Sequence, residues 1–111
     1  EEAACRYLEN HSYQLMERNF RCAWGEIDIV AKQGDSVVFV EVKARRHDQL
    51  GSAFESITPR KRQHLILAAQ EFLQLHGLEH HQWRIDVIGV RLDSAGKVLT
   101  IDRLENAVLG F

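Results

Sequence analysis

The sequence predicts one α/β domain in which a mixed central β-sheet is flanked by helices, with the element order α-β-β-β-α-β(-β). Two observations lead to this fold class. The turn signal Gly34-Asp35 separates two apolar, alternating runs, and a long helical pattern lies between them and a further apolar run that begins at Trp83. A strand that follows a helix of this length usually joins the sheet in parallel through a right-handed crossover.

Length and composition are typical of a single globular domain. The 111 residues are 45% hydrophobic and 27% charged, with a formal net charge of −2. No apolar run is long enough to span a bilayer and no signal-peptide pattern is present, so we expect a cytoplasmic protein without a membrane segment. Cys5 and Cys22 have no metal-binding spacing and are expected to be reduced. Because the sequence opens inside a predicted helix, we expect residues before Glu1.

The first half of the chain predicts a helix and three strands. Residues 1–10 have helical apolar spacing, and residues 13–20 alternate weakly as a first strand. The hairpin spans residues 25–43. Residues 44–58 show no clear periodicity, so we expect a functional loop there, with a short helix over residues 52–57 as the alternative.

The second half begins with a well-marked helix. Thr58 is the predicted N-cap, Pro59 the first helical residue and Gly77 the end of the helix. Residues 83–90 predict the next strand, and residues 98–101 predict a last strand after a turn. The apolar segment 106–111 is expected to cap the core or to form a homodimer interface.

The hairpin carries an unusual arrangement of charges. A tight turn at Gly34-Asp35 sets a register in which Asp28 faces Glu41 and Glu26 faces Lys43. Side chains alternate along strands, so these four would share one face, where opposed like charges are destabilising. Apolar residues on both faces of the hairpin indicate that helices cover it on both sides. The charges are therefore either a surface ion-pair ladder bridged by Lys43 or a site where a cation lies between the carboxylates. The spacing of these residues alone does not distinguish the ion-pair ladder from the cation site.

Positive charge is concentrated after the hairpin. Between Lys43 and His64 the basic residues are Lys43, Arg45, Arg46, Arg60, Lys61 and Arg62. Three of them occupy the first turn of the second helix, where the helix dipole disfavours cations. This turn is either a tolerated, solvated helix start or a phosphate-binding site; we favour the second because two arginines lie just upstream. His64 is close enough in sequence to contact the same phosphate.

The hairpin resembles the core of the PD-(D/E)XK nuclease superfamily. Asp28, followed after a short turn by Glu41-Val42-Lys43, matches the Asp…Glu-x-Lys pattern, and the element order fits the restriction-endonuclease-like fold. A closer resemblance, to the YraN family of bacterial endonuclease-like proteins, covers nearly the whole chain. The matching segments are Tyr7-Leu8, Glu17-Arg18-Asn19, Arg21-Cys22, residues 25–29, residues 38–43, Arg45-Arg46, Ile57-Thr58-Pro59, Lys61 and residues 84–87. That family is related to archaeal Holliday-junction resolvases.

The resemblance implies a metal-dependent DNA endonuclease. Asp28 and Glu41 would ligate Mg²⁺ or Mn²⁺, with the Val42 carbonyl as a third ligand. Glu1 matches a helix glutamate that approaches the metal in related resolvases, and we therefore include it among the ligands. Such a site also gives the predicted opposition of Asp28 and Glu41 a cause, so we favour the metal site over the ion-pair ladder.

The same resemblance assigns roles to the remaining charges. Lys43 would orient or deprotonate the attacking water, or hold the scissile phosphate, and Glu26 would position Lys43 or bind a second metal ion. The DNA backbone, including that of branched DNA, would contact Arg45, Arg46, Arg60, Lys61 and Arg62. A homodimer is expected because resolving a four-way junction requires paired sites. The alternatives are a catalytically silent DNA-binding module of the same fold and a small interaction protein in which the acids form only ion pairs.

Overall fold

The computed structural model of the protein describes residues 1–46 and 57–106. Its elements are α1 (Glu2–Asn10), β1 (Gln14–Cys22), β2 (Gly25–Gln33), β3 (Ser36–Arg46), α2 (Pro59–Leu75), β4 (Gln82–Leu92) and β5 (Val98–Leu104). Within these residues the strands form one sheet in the order β1-β2-β3-β4-β5. The β3 and β4 strands pair in parallel, and the other neighbouring strands pair antiparallel. The predicted element order and the mixed sheet are confirmed.

Some predictions fall outside the described residues. The short helix considered for residues 52–57 lies there except for its last residue, and so does the apolar segment 106–111 except for Asn106. Neither described helix has both the length and the apolar character that crossing a bilayer would require.

Helices cover the two faces of the sheet. The cluster on the α2 side contains Phe20, Ile27, Val30, Val37, Phe39, Ile57, Leu65, Ala68, Ala69, Phe72, Leu73, Ile85 and Val87. The cluster on the α1 side contains Ala4, Cys5, Leu8, Tyr13, Ile29, Ala31, Val38, Val40, Ile88 and Val90. The hairpin is therefore buried on both faces, as its apolar pattern predicts.

The start of α2 follows its sequence signals. Thr58 is the N-cap, and its hydroxyl oxygen accepts a hydrogen bond of 3.1 Å from the Lys61 backbone N–H. Pro59 occupies the first helical position, where no N–H is required. This cap fixes the first turn of α2, which follows β3 along the chain.

The β2–β3 ladder follows the predicted register only over part of its length. Pairing runs from Gln33 opposite Ser36 to Ile29 opposite Val40, as a tight turn at Gly34 predicts. It then stops. The predicted pairs of Asp28 with Glu41 and of Glu26 with Lys43 are not part of the described ladder, because the two strands separate at this point.

The alternation of faces also changes at Asp28, which corrects the predicted face assignment. Ile27 packs with Val30 on the α2 side, whereas Ile29 packs on the α1 side. Residues two apart in a regular strand share a face, so β2 changes phase between Ile27 and Ile29. The prediction that Glu26 lies on the Val30 face of one regular strand was therefore wrong, whereas Asp28 does lie beside Glu41 as predicted.

The neighbouring strand β1 changes phase at the matching position. Arg18 reaches the glutamates at the start of α1, but Phe20 packs edge-to-face on Phe72 of α2. Asn19, between them, has a φ of +56°, in the left-handed region that asparagine tolerates better than most residues. Phe20 pairs with Ile27 and Arg18 pairs with Ile29, so the two irregularities lie side by side.

A buried polar cluster joins β4 to both ends of the chain. Asp86 is fully buried and accepts hydrogen bonds from Arg84 Nε at 3.0 Å and from the Asn106 backbone N–H at 2.9 Å. Arg84 also donates to the Tyr13 hydroxyl at 2.9 Å, and Arg103 contacts the same hydroxyl. Because each member has a partner of opposite charge or a hydrogen bond, the cluster is tolerated in the interior.

Candidate functional site

The site begins where β2 and β3 separate. Asp28 directs its carboxylate into the opening, and its Oδ2 accepts a hydrogen bond of 2.7 Å from the Val42 backbone N–H. A side-chain oxygen thus takes the bond that a backbone carbonyl would make in a continued ladder. The phase change at Asn19 and Asp28 is what turns this carboxylate toward β3 rather than onto a packed face.

Glu41 lies beside Asp28 on β3 and is only 4% exposed. Its Oε2 is 3.1 Å from the Lys61 Nζ of α2 and 3.9 Å from the Lys43 Nζ. No group among the described residues makes a well-aligned hydrogen bond to this oxygen. A buried carboxylate oxygen in this position is unfavourable without a cation, and two ammonium groups approach it.

Asp28 is the perturbed carboxyl group of the pair. The pKa of Asp28 is raised to about 6, mainly by burial and in addition by a hydrogen bond and charge repulsion from Glu41. The Val42 N–H and the Lys61 charge act in the opposite direction. Carboxylates that are crowded in this way hold a proton more tightly until a cation replaces it.

A second group of acids meets Asp28 from the α1 side. One carboxylate oxygen from each of Glu1, Glu26 and Asp28 lies within 4.8 Å of the others. With its nitrogen turned toward the acids, the Asn19 amide donates to Glu26 at 2.7 Å and to Glu1 at 3.0 Å. Arg21 Nε lies 3.3 Å from Glu26. Asp28 therefore stands between Glu41 on one side and two glutamates on the other.

These residues fit a hard divalent cation. The donors are all oxygen atoms, from a half-buried and a buried carboxylate on adjacent strands and from two partly exposed glutamates. Mg²⁺ and Mn²⁺ prefer this donor set, whereas zinc sites generally use histidine and cysteine. The Glu41 oxygen is faced by Lys61 but has no well-aligned hydrogen bond among the described residues, and the pKa of Asp28 is raised mainly by burial, so both carboxyl groups can still accept a cation.

The structure gathers the predicted acidic residues and Lys43 at one end of the sheet. Among the described residues, Glu26 forms an ion pair with Arg21 and none with Lys43. The prediction that Glu26 positions Lys43 therefore has no direct contact to support it. Val42 contributes its N–H to Asp28, and the role of its carbonyl as a metal ligand stays a prediction.

The predicted phosphate-binding residues divide into two groups. Arg60 and Arg62 are exposed on the first turn of α2, and Arg45 is partly exposed at the end of β3. Lys61, in contrast, reaches into the acidic site itself. Sequence reasoning missed this contact, although a crossover helix after β3 begins near the end of β3 that carries Glu41. Asn19 was also missed; the available signal was an asparagine within an otherwise regular strand.

Comparison with known proteins gives the family. Residues 1–90, which include all the candidate site residues, match Uncharacterised protein family UPF0102. A UPF0102 protein of Caldicellulosiruptor saccharolyticus is 41% identical over 107 residues, covering 96% of this chain and 91% of the relative. One from Pelotomaculum thermopropionicum is 45% identical over 107 residues, covering 96% and 89%. One from Hahella chejuensis is 46% identical over 94 residues, covering 85% and 76%. In agreement with its resemblance to YraN proteins, the chain belongs to the UPF0102 family.

Proposed function

We propose that the protein is a Mg²⁺- or Mn²⁺-dependent endonuclease that hydrolyses phosphodiester bonds in DNA. The observation that carries this proposal is the position of Asp28 beside the buried Glu41, where burial in the first place, and Glu41 in the second, raise the pKa of Asp28 to about 6. Two neighbouring carboxylates at the point where β2 and β3 stop pairing, with lysines beside them, form the arrangement that a metal-assisted hydrolase needs.

Each residue has a role in this proposal. A bound cation would neutralise charge on the phosphate and lower the pKa of a bound water. Asp28 and Glu41 hold the cation, and the Glu1–Glu26 side supplies further oxygen ligands. Lys43, whose side chain is 30% exposed and 3.9 Å from Glu41, orients the attacking water or holds the phosphate. The exposed arginines at the start of α2 hold the DNA backbone.

The proposal extends to location and assembly. A DNA substrate implies a cytoplasmic protein in bacteria such as those of the relatives, and Cys5 and Cys22 are both free thiols, as a reducing compartment requires. If branched DNA is the substrate, symmetric cleavage requires two sites, which a homodimer would supply.

The direct test is a cleavage assay with supercoiled plasmid and linear duplex DNA in Mg²⁺, in Mn²⁺ and in EDTA. We expect nicking only with a divalent cation, and loss of nicking in Asp28→Asn, Glu41→Gln and Lys43→Ala. Asp102→Asn, an exposed aspartate on β5, is the matched control and should keep full activity. Equal activity in the wild type and the three site variants would identify a contaminant and reject the proposal.

One contact favours the alternative of a catalytically silent DNA-binding module. The ion pair of 3.1 Å between Lys61 and Glu41 partly neutralises the acidic site without any metal. Binding of duplex DNA that is unaffected by EDTA and by Glu41→Gln, in a protein that cleaves no substrate, would support this alternative. The salt dependence of binding would then give the number of phosphates contacted.

A further inference from the structure

Trp24 is a large aromatic residue that the fold leaves uncovered. It lies in the turn between β1 and β2 and is 43% exposed. The turn itself is held in place, because Cys22 packs against the apolar cluster on the α2 side and Gly25 pairs with Cys22 across the ladder. The exposed indole is therefore presented by an anchored turn.

The indole lies beside the candidate site. Its ring centroid is 6.5 Å from that of His64, with the two planes tilted by 46°. His64 follows Lys61 by about one turn of α2, and Lys61 reaches Glu41. Trp24 also directly precedes β2, whose first residues include Glu26 and Asp28. The aromatic surface and the acids thus lie next to each other.

The other exposed apolar side chains lie elsewhere. Among the described residues these are Met16 in β1, Leu75 at the end of α2, and Val98, Leu99 and Leu104 in β5. Trp24 differs from them because it lies against α2 next to the helix turn that carries exposed arginines. Arg21, two residues before the turn, has a side chain that is 79% exposed, and Arg60 and Arg62 are exposed on the first turn of α2.

An exposed indole among arginines suits one class of ligand. Proteins that bind single-stranded nucleic acid combine a basic groove for the backbone with aromatic side chains on which bases stack. In an intact duplex the base faces are stacked on one another, so they are not available to Trp24 without unstacking. A base is available at a flap, a gap, a junction or a free strand.

We propose that Trp24, supported by His64, is a stacking surface for an unpaired base next to the scissile phosphate. The preferred substrate is then DNA with an unpaired base at the cleavage position rather than continuous duplex. This inference rests on the proposed nuclease function for its position in the reaction, but the stacking contact can be measured without cleavage.

The binding experiment uses the indole as its own probe. In a Trp83→Phe background, Trp24 is the single tryptophan, and its fluorescence is followed during titration with a 15-residue oligothymidylate in Ca²⁺. An abasic oligonucleotide of equal length, with the same phosphates but no bases, is the matched ligand. We expect quenching by the first and little quenching by the second. Quenching of equal size by both would overturn the stacking contact.

The affinity experiment compares variants in the wild-type background. We expect Trp24→Ala to weaken oligothymidylate binding by about 5- to 150-fold, the range for one stacked base, and Trp24→Phe to lose less. Duplex binding should change less than about twofold. Leu75→Ala removes an exposed apolar side chain from the far end of α2 and should leave both affinities unchanged. Equal losses for single-stranded and duplex DNA, or no loss for either, would overturn the proposal.

A cleavage assay separates this inference from the proposed function. With Mn²⁺, wild-type protein should cleave a flap faster than intact duplex, and Trp24→Ala should lose that preference while still nicking duplex. Metal-dependent nicking with no flap preference in either protein would reject the stacking role and keep the nuclease. Fluorescence quenching without any metal-dependent cleavage would reject the nuclease and keep the stacking surface.

Discussion

Replacing Asp28 by asparagine should stabilise the metal-free protein at neutral pH. The amide keeps an oxygen that can accept the Val42 N–H bond and gains an N–H that can donate to Glu41, so the crowding of two carboxylates is removed without emptying the opening. A destabilising result would be the ordinary expectation for a buried polar contact, which makes the direction of this prediction informative.

The magnitude follows from the raised pKa. A change from 3.8 to about 6 in the folded state corresponds to about 3 kcal/mol at about 1.4 kcal/mol per unit. Asp28 is only half-buried, so solvent screening reduces the expected effect to about 1–1.5 kcal/mol. This corresponds to a rise in melting temperature of roughly 4–8 °C.

The pH dependence has a definite sign. The folded state binds the Asp28 proton more tightly than the unfolded state, so the free energy of unfolding of the wild type falls as pH rises from about 4 to about 6. The asparagine variant has no such proton. Its advantage should be near zero at pH 4 and complete above about pH 7.

Urea unfolding in EDTA at a series of pH values tests this prediction, with Asp102→Asn as the exposed control. A gain in stability of the same size at pH 4 and pH 8 would show that the effect does not come from the Asp28 proton. A loss of stability at pH 8 would refute the crowding of Asp28 and Glu41.

Three further predictions concern the metal, the buried cluster and the irregular strand. At pH 8, Mn²⁺ at 100 times its dissociation constant should raise the free energy of unfolding by about 2.7 kcal/mol. The same Mn²⁺ concentration should raise it less at pH 5, because the proton on Asp28 competes with the metal. Thermal melts at the two pH values measure both effects. Asp86→Ala should destabilise the fold by about 3–5 kcal/mol in urea because it removes the fully buried carboxylate that faces both Arg84 and Arg103, and leaves Arg84 only the more exposed Glu105 as an ion-pair partner among the described residues. Asn19→Ala should be about 1 kcal/mol less stable than Asn19→Gly because alanine disfavours the left-handed backbone, while calorimetry should show equally weakened Mn²⁺ binding in both.

Each of these has a result that would contradict it. Equal stabilisation of wild type and Asp28→Asn by Mn²⁺ would place the metal elsewhere. A change below about 1 kcal/mol in Asp86→Ala would show that the cluster is already solvated. Unchanged Mn²⁺ affinity in Asn19→Gly would remove the amide from the positioning of Glu1 and Glu26.

The sequence predicted those parts of the fold that depend on local chemistry. The hairpin turn, the alternating apolar residues and the Thr58-Pro59 start of α2 each concern neighbouring residues, and each is present in the structure. The phase change at Asn19 and Asp28 could not be predicted in the same way, because an extended strand with regular alternation fits the same residues. It arises from the opening of the ladder and from the packing of Phe20 and Ile27 on one side.

The candidate site could be predicted from the sequence only in part, for a related reason. Glu41 and Lys43 belong to one strand, so their proximity follows from the sequence. The approach of Glu1 to Glu26 depends on where α1 lies against the sheet, and the approach of Lys61 to Glu41 depends on the crossover helix. Such tertiary contacts between distant segments are not encoded in periodicity or spacing.

The parallel β3–β4 ladder has a consequence for how the protein folds. It runs without interruption from Ser36 opposite Gln82 to Arg46 opposite Leu92, and pairing these strands requires closure of the long intervening segment that contains α2. Closing such a long loop is slow compared with forming a hairpin. Glu41 is buried only when this ladder is in place, so a refolding chain acquires its acidic pocket late. Divalent cations should therefore slow unfolding of the finished protein and leave its refolding rate nearly unchanged.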